Sequence, residues 1–261
     1  MASENFFLDG EGYEKFMGQW SRAAGSFFLD WLSLSSGLKW LDVGCGTGAF
    51  TETILQRCFP AEIVAIDPAA TQVAFAQSRH WTPEVKFQVL DGRSLPFGNE
   101  HFDVAVSALV LNFIPDREKA VAEMRRVVRP GGTVAAYVWD FAGRRGNSQH
   151  LSLALMQVTG GNTDAALNAE STILEKLKLL FESVGLTEVV TQPIDIQISY
   201  ADFDDYWNAN TGFSSPVATA VKALDEDKRQ QIKRIVRANL PSDDRGGVSY
   251  TARVNAVRGS V

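Results

Sequence analysis

The sequence predicts an α/β fold in which a doubly wound, mostly parallel sheet carries helices on both faces. Two observations lead to this prediction. Between residues 40 and 139, short apolar segments alternate regularly with amphipathic segments of helical period. The short segments are apolar at nearly every position, as in strands that are buried on both faces. Strands separated by helices in this way pair in parallel through right-handed crossovers.

The first predicted element is a helix over residues 13 to 32. Its apolar residues recur at spacings of three and four, and the serines and glycine of residues 33–37 end it. The residues of this apolar face are Tyr13, Phe16, Met17, Trp20, Ala24, Phe27, Phe28, Trp31 and Leu32.

Five strands and their connecting helices follow. The predicted strands are Trp40–Val43, Ile63–Ile66, Val85–Leu90, Phe102–Leu111 and Thr133–Trp139. Three helices are predicted between these strands. The first has Phe50, Ile54 and Cys58 on its apolar face, and the second lies near Ala69–Arg79. The apolar face of the third is Ala120, Val121, Met124, Val127 and Val128. The last of these has the clearest signals, because Asp116 can cap its start and Pro130-Gly131-Gly132 can stop it.

The C-terminal part of the chain has a looser pattern. We expect a short helix around Leu151–Val158 and a second helix that begins with a capping box, Thr172 and Glu175, and ends at Gly185. The predicted core face of that second helix is Ile173, Leu177, Leu180, Phe181 and Val184. Residues 186–199 and 248–254 alternate apolar and polar residues, which predicts a hairpin, and residues 201–240 read as helices inserted into it.

Composition limits the class of protein. The 261 residues are 45% hydrophobic and 21% charged with a net charge of −6, which suits one domain with a full core. The negative charge disfavours nucleic acid and anionic membrane as partners. Cys45 and Cys58 fit neither a disulfide framework nor a zinc site. Because we find neither a membrane-spanning apolar run nor a signal-peptide pattern, we expect a cytoplasmic protein.

The segment Leu41–Gly48 is the strongest local signal of function. An apolar strand runs into three alternating glycines and then into a helix, which is how a backbone approaches a nucleotide or nucleoside closely. Gly44, Gly46 and Ala49 also satisfy the dinucleotide pattern. Asp67 closes the second strand, where a carboxylate accepts hydrogen bonds from ribose hydroxyls. Nicotinamide and adenosyl cofactors both need that carboxylate, and a helix-capping aspartate is the alternative interpretation.

Five segments taken together favour one cofactor. They are Leu41–Phe50, Ile63–Pro68, Leu90–Phe97, Phe102–Val106 and Val127–Gly132. In this order and spacing they resemble the class I S-adenosylmethionine-dependent methyltransferases, in particular the small-molecule group that includes the ubiquinone/menaquinone C-methyltransferases. The resemblance covers about residues 40 to 139. It implies S-adenosylmethionine as cofactor, a small-molecule methyl acceptor, and a seven-stranded sheet whose last strand is antiparallel.

The resemblance also implies which residues hold the cofactor. In the family, the glycine loop and the acid before it hold the methionine end, and the backbone after the fourth strand lies near the methionine amino group. The acid after the second strand binds the ribose, and the acid after the third strand accepts from the adenine amino group. The matching residues are Asp42, Gly44, Cys45, Gly46, Asp67, Pro68, Asp91, Gly92, Ala108 and Leu109. Many relatives have Asp-Ala-Glu where this chain has Asp91-Gly92-Arg93.

The predicted N-terminal helix supplies three further candidates. In the family, a helix before the first strand commonly folds over the cofactor. Tyr13 and Trp20 would then cover the sulfonium or the substrate, and Arg22 would pair with the methionine carboxylate. The alternative is a helix packed on the sheet through its apolar stripe, with Arg22 solvated.

Candidates for the acceptor side follow the fourth and fifth strands. Asn112 stands where the quinone C-methyltransferases also carry an asparagine, so it either bonds substrate or cofactor or caps a turn. His150 follows the fifth strand and is a candidate general base, with a solvated loop histidine as the alternative. His80 and His101 precede strands, which places them at the far edge. Trp207, in the inserted segment, is a candidate for an acceptor lid, with helix packing as the alternative.

The sequence therefore predicts a single methyltransferase domain over residues 1–261. Residues 1–37 form a helical cap, residues 38–140 form the cofactor-binding core, and residues 141–170 and 200–245 are acceptor-side insertions. Two rival hypotheses stay open at this point. One is an NAD(P)-dependent oxidoreductase that uses the same glycine loop, and the other is a protein that binds S-adenosylmethionine without turnover. The sequence carries no motif for the identity of the acceptor.

Overall fold

The computed structural model describes residues 19–212 and 215–261, apart from the side chains of residues 165 and 166. In this part of the chain, seven strands form one sheet in the order β3-β2-β1-β4-β5-β7-β6. The strands are β1 Lys39–Val43, β2 Glu62–Asp67, β3 Val85–Val89, β4 Phe102–Ala108, β5 Val128–Trp139, β6 Thr187–Tyr200 and β7 Val248–Ser260. The first five strands pair in parallel, and β7 is antiparallel to both of its neighbours, as expected.

Helices connect the strands and cover the sheet. They are α1 Gln19–Leu32, α2 Ala49–Cys58, α3 Ala70–Gln77, α4 Arg117–Val127, α5 Gln149–Thr159, α6 Asp164–Leu167, α7 Leu174–Ser183, α8 Phe203–Thr211, α9 Pro216–Lys222 and α10 Glu226–Asn239. Short 3₁₀ turns lie at Leu111–Phe113 and Ala169–Thr172. The helices α8, α9 and α10 lie in the connection between β6 and β7, where the sequence predicts an insertion.

Two apolar cores lie on opposite faces of the sheet. Successive residues of β5 alternate between them, so that Tyr137 faces one core while Val138 faces the other. On the first face, the ring of Tyr137 packs 4.7 Å from that of Phe28 and 5.5 Å from that of Phe50, which joins α1 and α2 to the sheet. On the second face, α4 and α7 supply residues such as Phe181.

Most predicted elements have the expected type, and the start of α4 has the predicted cap. The carboxylate of Asp116 accepts a hydrogen bond from the backbone N–H of Lys119 at 3.0 Å. Gly185 has φ of +83° just beyond α7, as expected of a residue that ends a helix. Pro130-Gly131-Gly132, however, does not stop α4. The helix ends at Val127, and these three residues already belong to β5.

The predicted capping box at the start of α7 is wrong. The helix begins at Leu174, and its N-cap residue Ile173 makes no side-chain cap bond. The hydroxyl of Thr172 instead donates to the carbonyl of Ala169 at 2.7 Å and accepts from the N–H of Ala142 at 3.2 Å. The Thr172 hydroxyl is therefore bonded within and beside the preceding 3₁₀ turn and does not cap the helix.

Three further expectations need correction or fall outside the described residues. Phe27 is 54% exposed and Ile173 is 38% exposed, so neither belongs to the core. The fourth strand ends at Ala108 rather than Leu111, because Leu109 adopts a left-handed backbone with φ of +62°. Tyr13 and the other N-terminal positions before Gln19 lie outside the described residues.

No helix in residues 19–212 or 215–261 combines the length and apolar character needed to cross a bilayer. Cys45 and Cys58 are both free thiols, and the described residues contain no cluster of side chains suited to a metal ion.

The two adjacent phenylalanines of α1 allow a matched test of the core. Phe28 is fully buried between the helices and the sheet, whereas its neighbour Phe27 is largely exposed. We expect Phe28→Ala to lower the free energy of unfolding by about 3–5 kcal/mol, because it leaves a cavity against Tyr137. The control Phe27→Ala should change it by less than about 0.5 kcal/mol. Urea unfolding of the two variants measures both values, and similar losses would contradict the described packing of α1.

Candidate functional site

The loop between β1 and α2 is built from glycines with left-handed backbones. Gly44, Gly46 and Gly48 have φ of +82°, +53° and +83°. A Cβ atom added at Gly44 would lie 2.6 Å from Val110, closer than a side chain tolerates. The N–H groups of Gly44 and Cys45 both donate to the carbonyl of Ile66, which ties the loop to the end of β2.

The carboxylate of Asp67 forms one wall of this loop. It accepts from the N–H of Gly46 at 3.0 Å and from the N–H of Ala69 at 2.8 Å. Burial raises the pKa of Asp67, although these two hydrogen bonds oppose the shift. Each carboxylate oxygen accepts one bond from the protein and keeps a free lone pair, so the group can still receive two donors such as a ribose diol.

Asp42 is fully buried and is the second-last residue of β1, two positions before Gly44 of the glycine loop. Its Oδ2 accepts from the hydroxyl of Thr51 at 2.7 Å, whereas its Oδ1 is buried and has no partner among the described residues. Burial raises the pKa of Asp42 to about 7; the bond from Thr51 opposes the shift and the charge of Asp67 adds to it. An unpartnered buried oxygen at this position is an open acceptor for an N–H donor or an ordered water.

Asp91 follows β3 and is held by its own neighbour in sequence. The guanidinium of Arg93 contacts both carboxylate oxygens, at 3.0 Å to Oδ1 and 2.6 Å to Oδ2. Arg93 lowers the pKa of Asp91, which keeps the carboxylate ionised. Gly92 packs so tightly that an added Cβ would lie 2.7 Å from Val43, a contact that joins the tips of β3 and β1.

The other predicted cofactor-binding residues lie around the same strand tips. Pro68 is exposed directly after β2, and the buried Cys45 lies within the glycine loop. Burial raises the pKa of the Cys45 thiol well above its ordinary value, so this thiol is not a nucleophile. Ala108 ends β4, and the N–H of the left-handed Leu109 donates to the carbonyl of Tyr137 at 2.8 Å. Strain of this kind tends to occur at ligand sites.

Asn112 is 2% exposed and joins the turn after β4 to residues 167 and 168. Its Nδ2 donates to the carbonyl of Leu167 at 3.1 Å, and its own carbonyl accepts from the side chain of Asn168 at 3.0 Å. The Oδ1 of Asn112 is buried without a partner in the part of the chain that is described. The side chain therefore has a structural bond and one oxygen left over for a ligand.

Arg22 belongs to a charge cluster beside the glycine loop. Its Nε lies 3.0 Å from Glu52 on the first turn of α2, and Arg79 lies 2.8 Å from the same carboxylate. Arg79 also donates to the carbonyl of Thr47 in the loop, at 3.1 Å. Two cations around one anion leave positive charge next to the loop, which is what a carboxylate ligand would need.

Trp20 is buried in a group of aromatic rings near the predicted acceptor side, which we call the tyrosine cluster. Its ring lies edge-on to Tyr200 at 5.6 Å, and Tyr200 contacts Tyr206 at 5.2 Å and Tyr250 at 6.4 Å. Asn210 donates to the hydroxyl of Tyr200 at 3.3 Å. The cluster fastens α1 and the inserted helix α8 to the ends of β6 and β7, beyond the tips of the parallel strands.

The two remaining candidates are placed differently around this cluster. The half-buried ring of His150 lies edge-on to Tyr250 at 4.8 Å, and burial lowers the pKa of His150, which favours a neutral imidazole. The ring of Trp207 stacks on Phe203 and faces Lys233 at 5.5 Å, so the inserted helix directs the adjacent Tyr206, not Trp207, into the tyrosine cluster. His80 and His101 are exposed, as predicted.

Several residues of the site were not predicted. Tyr200 directly follows the first predicted hairpin strand and Tyr250 lies near the start of the second, and the alternating pattern could have placed both on one face of the sheet. The departure at Arg93 from the family pattern could have indicated its pairing with Asp91 two residues earlier. No sequence signal points to Arg79, which reaches the glycine loop only through the packing of α3.

Comparisons with known proteins agree with this geometry. A family model described as a methyltransferase domain matches residues 41–136. The phthiotriol/phenolphthiotriol dimycocerosates methyltransferase of Mycobacterium leprae is 34% identical over 100 residues, which are 38% of this chain and 37% of that protein. The malonyl-[acyl-carrier protein] O-methyltransferase of Pectobacterium atrosepticum is 30% identical over 123 residues, which are 47% of each. The aligned region spans less than half of either relative.

Residues 41–136 therefore form a methyltransferase domain. The match to a methyltransferase domain favours S-adenosyl-L-methionine, a methyl donor, over a nicotinamide cofactor. The narrower resemblance to the quinone C-methyltransferases stays a prediction.

Solved structures show that the methyltransferase fold extends beyond the matched residues. YcgJ from Bacillus subtilis superposes with a TM-score of 0.58 at 17% identity, over 93% of this chain and 98% of that one. Phosphoethanolamine N-methyltransferase 2 of Haemonchus contortus, in complex with S-adenosyl-L-methionine, superposes with a TM-score of 0.60 at 13% identity, over 99% of this chain and 58% of that one. At these identities the likeness concerns the fold alone.

The buried carboxyl of Asp42 should make stability depend on pH. Its pKa rises from 3.8 to about 7 on folding, so the folded protein binds a proton more tightly than the unfolded chain, and this group lowers the free energy of unfolding as pH rises through that window. Without cofactor, we expect Asp42→Asn to be more stable than the unmodified protein at pH 8 by about 2–4 kcal/mol. The difference should shrink towards zero near pH 4, and urea unfolding across the range measures it. A difference that does not vary with pH would contradict the burial of an ionisable Asp42.

Proposed function

We propose that this chain transfers a methyl group from S-adenosylmethionine to a small-molecule acceptor. The observation that carries the proposal is the arrangement of three carboxylates, Asp42, Asp67 and Asp91, at the tips of the adjacent strands β1, β2 and β3, around a loop of left-handed glycines. Ligands of open α/β sheets bind beyond the carboxyl ends of the strands, where these groups lie.

The free acceptor atoms of these residues fit the parts of the cofactor. Asp67 has lone pairs for both ribose hydroxyls, and the unpartnered Oδ1 of Asp42 suits the methionine ammonium, directly or through water. Asp91 would accept from the adenine amino group, in which case Arg93 shares the carboxylate with the base or turns away. The positive charge of Arg22 and Arg79 beside the loop supports a site for the methionine carboxylate.

The residues of this chain would contribute to methyl transfer mainly by positioning the acceptor and by excluding water. Bound S-adenosylmethionine supplies a methyl group already activated by the sulfonium. The residues around it need to hold the acceptor in line with the carbon–sulfur bond, and such orientation accounts for most of the rate in displacements of this kind. The tyrosine cluster closes the acceptor side with rings that are almost fully buried. Asn112, with its free Oδ1, is positioned to orient either ligand.

His150 is the residue that would accept a proton if the acceptor needs to lose one. Burial favours its neutral form, which is the form a general base requires. Its ring packs against Tyr250 in the tyrosine cluster, on the acceptor side of the sheet. An amine acceptor would not need this step.

The relatives do not fix the acceptor. Their names describe a dimycocerosate lipid in one case and malonyl-[acyl-carrier protein] in another, and both names belong to proteins of which this chain matches less than half. We propose a small molecule, with no nucleic acid or membrane partner, because the chain carries a net charge of −6.

Calorimetric titration tests the cofactor assignment directly. We expect S-adenosylhomocysteine, the product form of the cofactor, to bind with a micromolar dissociation constant, and NAD and NADP not to bind at the same concentrations. Transfer of label from methyl-labelled S-adenosylmethionine to a panel of small acceptors then tests turnover. Binding of NAD in place of S-adenosylhomocysteine would overturn the proposal.

The carboxylate of Asp67 provides the sharpest single test of the site. We expect Asp67→Ala to weaken S-adenosylhomocysteine binding by about 1–3 kcal/mol, a factor of about 5 to 150, because charged hydrogen bonds to the ribose are lost. Asp67→Asn retains the shape of the side chain and should also weaken binding, since its NH₂ group cannot accept.

The matched control is Glu62→Ala at the opposite end of the same strand. Glu62 pairs with Lys86 on the surface, so its removal should leave the affinity for S-adenosylhomocysteine unchanged. Equal affinities in the Asp67 variants and this control would show that the ribose does not bind at Asp67.

A further inference from the structure

A shallow cleft, open to solvent, lies beside the loop that follows β5. Its lining includes Phe141, Arg144, Gln149, Ser152, Asp164 and Leu167. Phe141 comes two residues after the end of β5, and the carbonyl of Leu167 accepts the hydrogen bond from Asn112 after β4. The cleft therefore lies at the same edge of the sheet as the cofactor loop, on the acceptor side.

Arg144 presents an unused hydrogen-bonding edge in this cleft. Its Nη1 and Nη2 each lie 2.9 Å from one carboxylate oxygen of Asp164, and Nη1 also contacts the sulfur of Met156 at 3.0 Å. Its Nε has no hydrogen-bond partner in the described part of the chain. A guanidinium carries five donors in a plane, so an end-on pair with Asp164 leaves the side formed by Nε–H and the second Nη2–H free.

The loop that carries Arg144 is fixed before any ligand arrives. The N–H of Gly143 donates to the carboxylate of Asp140 at 2.8 Å, and the N–H of Arg145 donates to the Asp140 carbonyl at 2.9 Å. The N–H of Ala142 is bonded to the hydroxyl of Thr172. Arg144 itself is held at φ of +58°, and its side chain remains 36% exposed. Such preorganisation lowers the entropy that binding costs.

We propose that this cleft binds a carboxylate of the methyl acceptor through the free edge of Arg144; the inference rests on the proposed methyl transfer. The spacing of Nε–H and Nη2–H matches the two oxygens of a planar carboxylate. The neutral polar side chains of Gln149 and Ser152 lie in the same lining, and Phe141 and Leu167 supply an apolar wall for a hydrocarbon part. The acceptor class is therefore a small carboxylic acid with an apolar portion.

This carboxylate is an anchor and not the atom that receives the methyl group. An arginine that binds both oxygens draws electron density from them and occupies their lone pairs, so they are poor nucleophiles. The reacting atom must then lie elsewhere on the acceptor, nearer the tip of β4, and the anchored group fixes its approach to the methyl carbon.

Titration with phenylacetate and its neutral analogue phenylacetamide tests the subsite. Binding is followed by NMR, in cofactor-free protein and in protein saturated with S-adenosylhomocysteine. We expect phenylacetate to bind at least tenfold more tightly than phenylacetamide. Arg144→Gln should remove this preference, and Arg144→Lys, which keeps the charge without the fork, should lose most of it.

Two variants separate ligand binding from a purely structural role. Asp164→Asn breaks the same ion pair as Arg144→Gln but keeps the guanidinium, so it should bind phenylacetate as tightly as the unmodified protein or more tightly. Arg145→Gln removes the adjacent arginine, which pairs with Asp195 and does not line the cleft, and it should have no effect. Thermal unfolding of every variant reports whether the fold is kept.

The proposal is overturned if phenylacetate and phenylacetamide bind equally, or if Asp164→Asn and Arg144→Gln lose phenylacetate binding to the same extent. Failure of S-adenosylhomocysteine to bind would count against the proposed function instead. Because carboxylate binding is measured in cofactor-free protein as well, the two failures can be distinguished.

Discussion

The hydrogen bond from the Gly46 N–H to the Asp67 carboxylate links the glycine loop that follows β1 to the end of β2. The carboxylate holds the left-handed Gly46 in place, and the N–H of Gly46 helps to position the carboxylate. Both groups are largely withdrawn from water, so the pKa of Asp67 is raised even with two N–H donors on it. Desolvation of this kind costs free energy that the apolar cores on the two faces of the sheet must offset.

The sheet could be predicted because its signals are local and repeated. Apolar strands, helical faces and the cap at Asp116 each depend on a few neighbouring residues, and all of them agree on the same alternation. The start of α7 could not be predicted in the same way. Thr172 has the residue type and spacing of a cap, but Ala142 and Ala169 compete for its hydroxyl, and that competition exists only in the folded chain.

The residues of the candidate site likewise fall into two groups: those that local sequence signals predict and those that depend on tertiary packing. The acids at the strand tips follow from where strands end, which a sequence indicates well. The aromatic residue of α8 that enters the tyrosine cluster could not be predicted. Tyr206 and Trp207 are adjacent in sequence and lie about 100° apart around the helix. A rotation of that helix by about 100° would exchange their roles, and the sequence contains both aromatic residues. The pairing of Arg144 with Asp164, twenty positions later, likewise exists only in the folded chain.

The proposed acceptor side is assembled from three separate stretches of chain: α1, the region from the end of β5 to α6, and the helices inserted between β6 and β7. None of these stretches contributes a strand to the parallel part of the sheet. The segment that matches other methyltransferases, residues 41–136, stops just where the second of them begins. Substitutions, insertions and deletions in these stretches can therefore accumulate without disturbing the cofactor loop. Such an architecture lets new acceptor preferences evolve on an unchanged catalytic core.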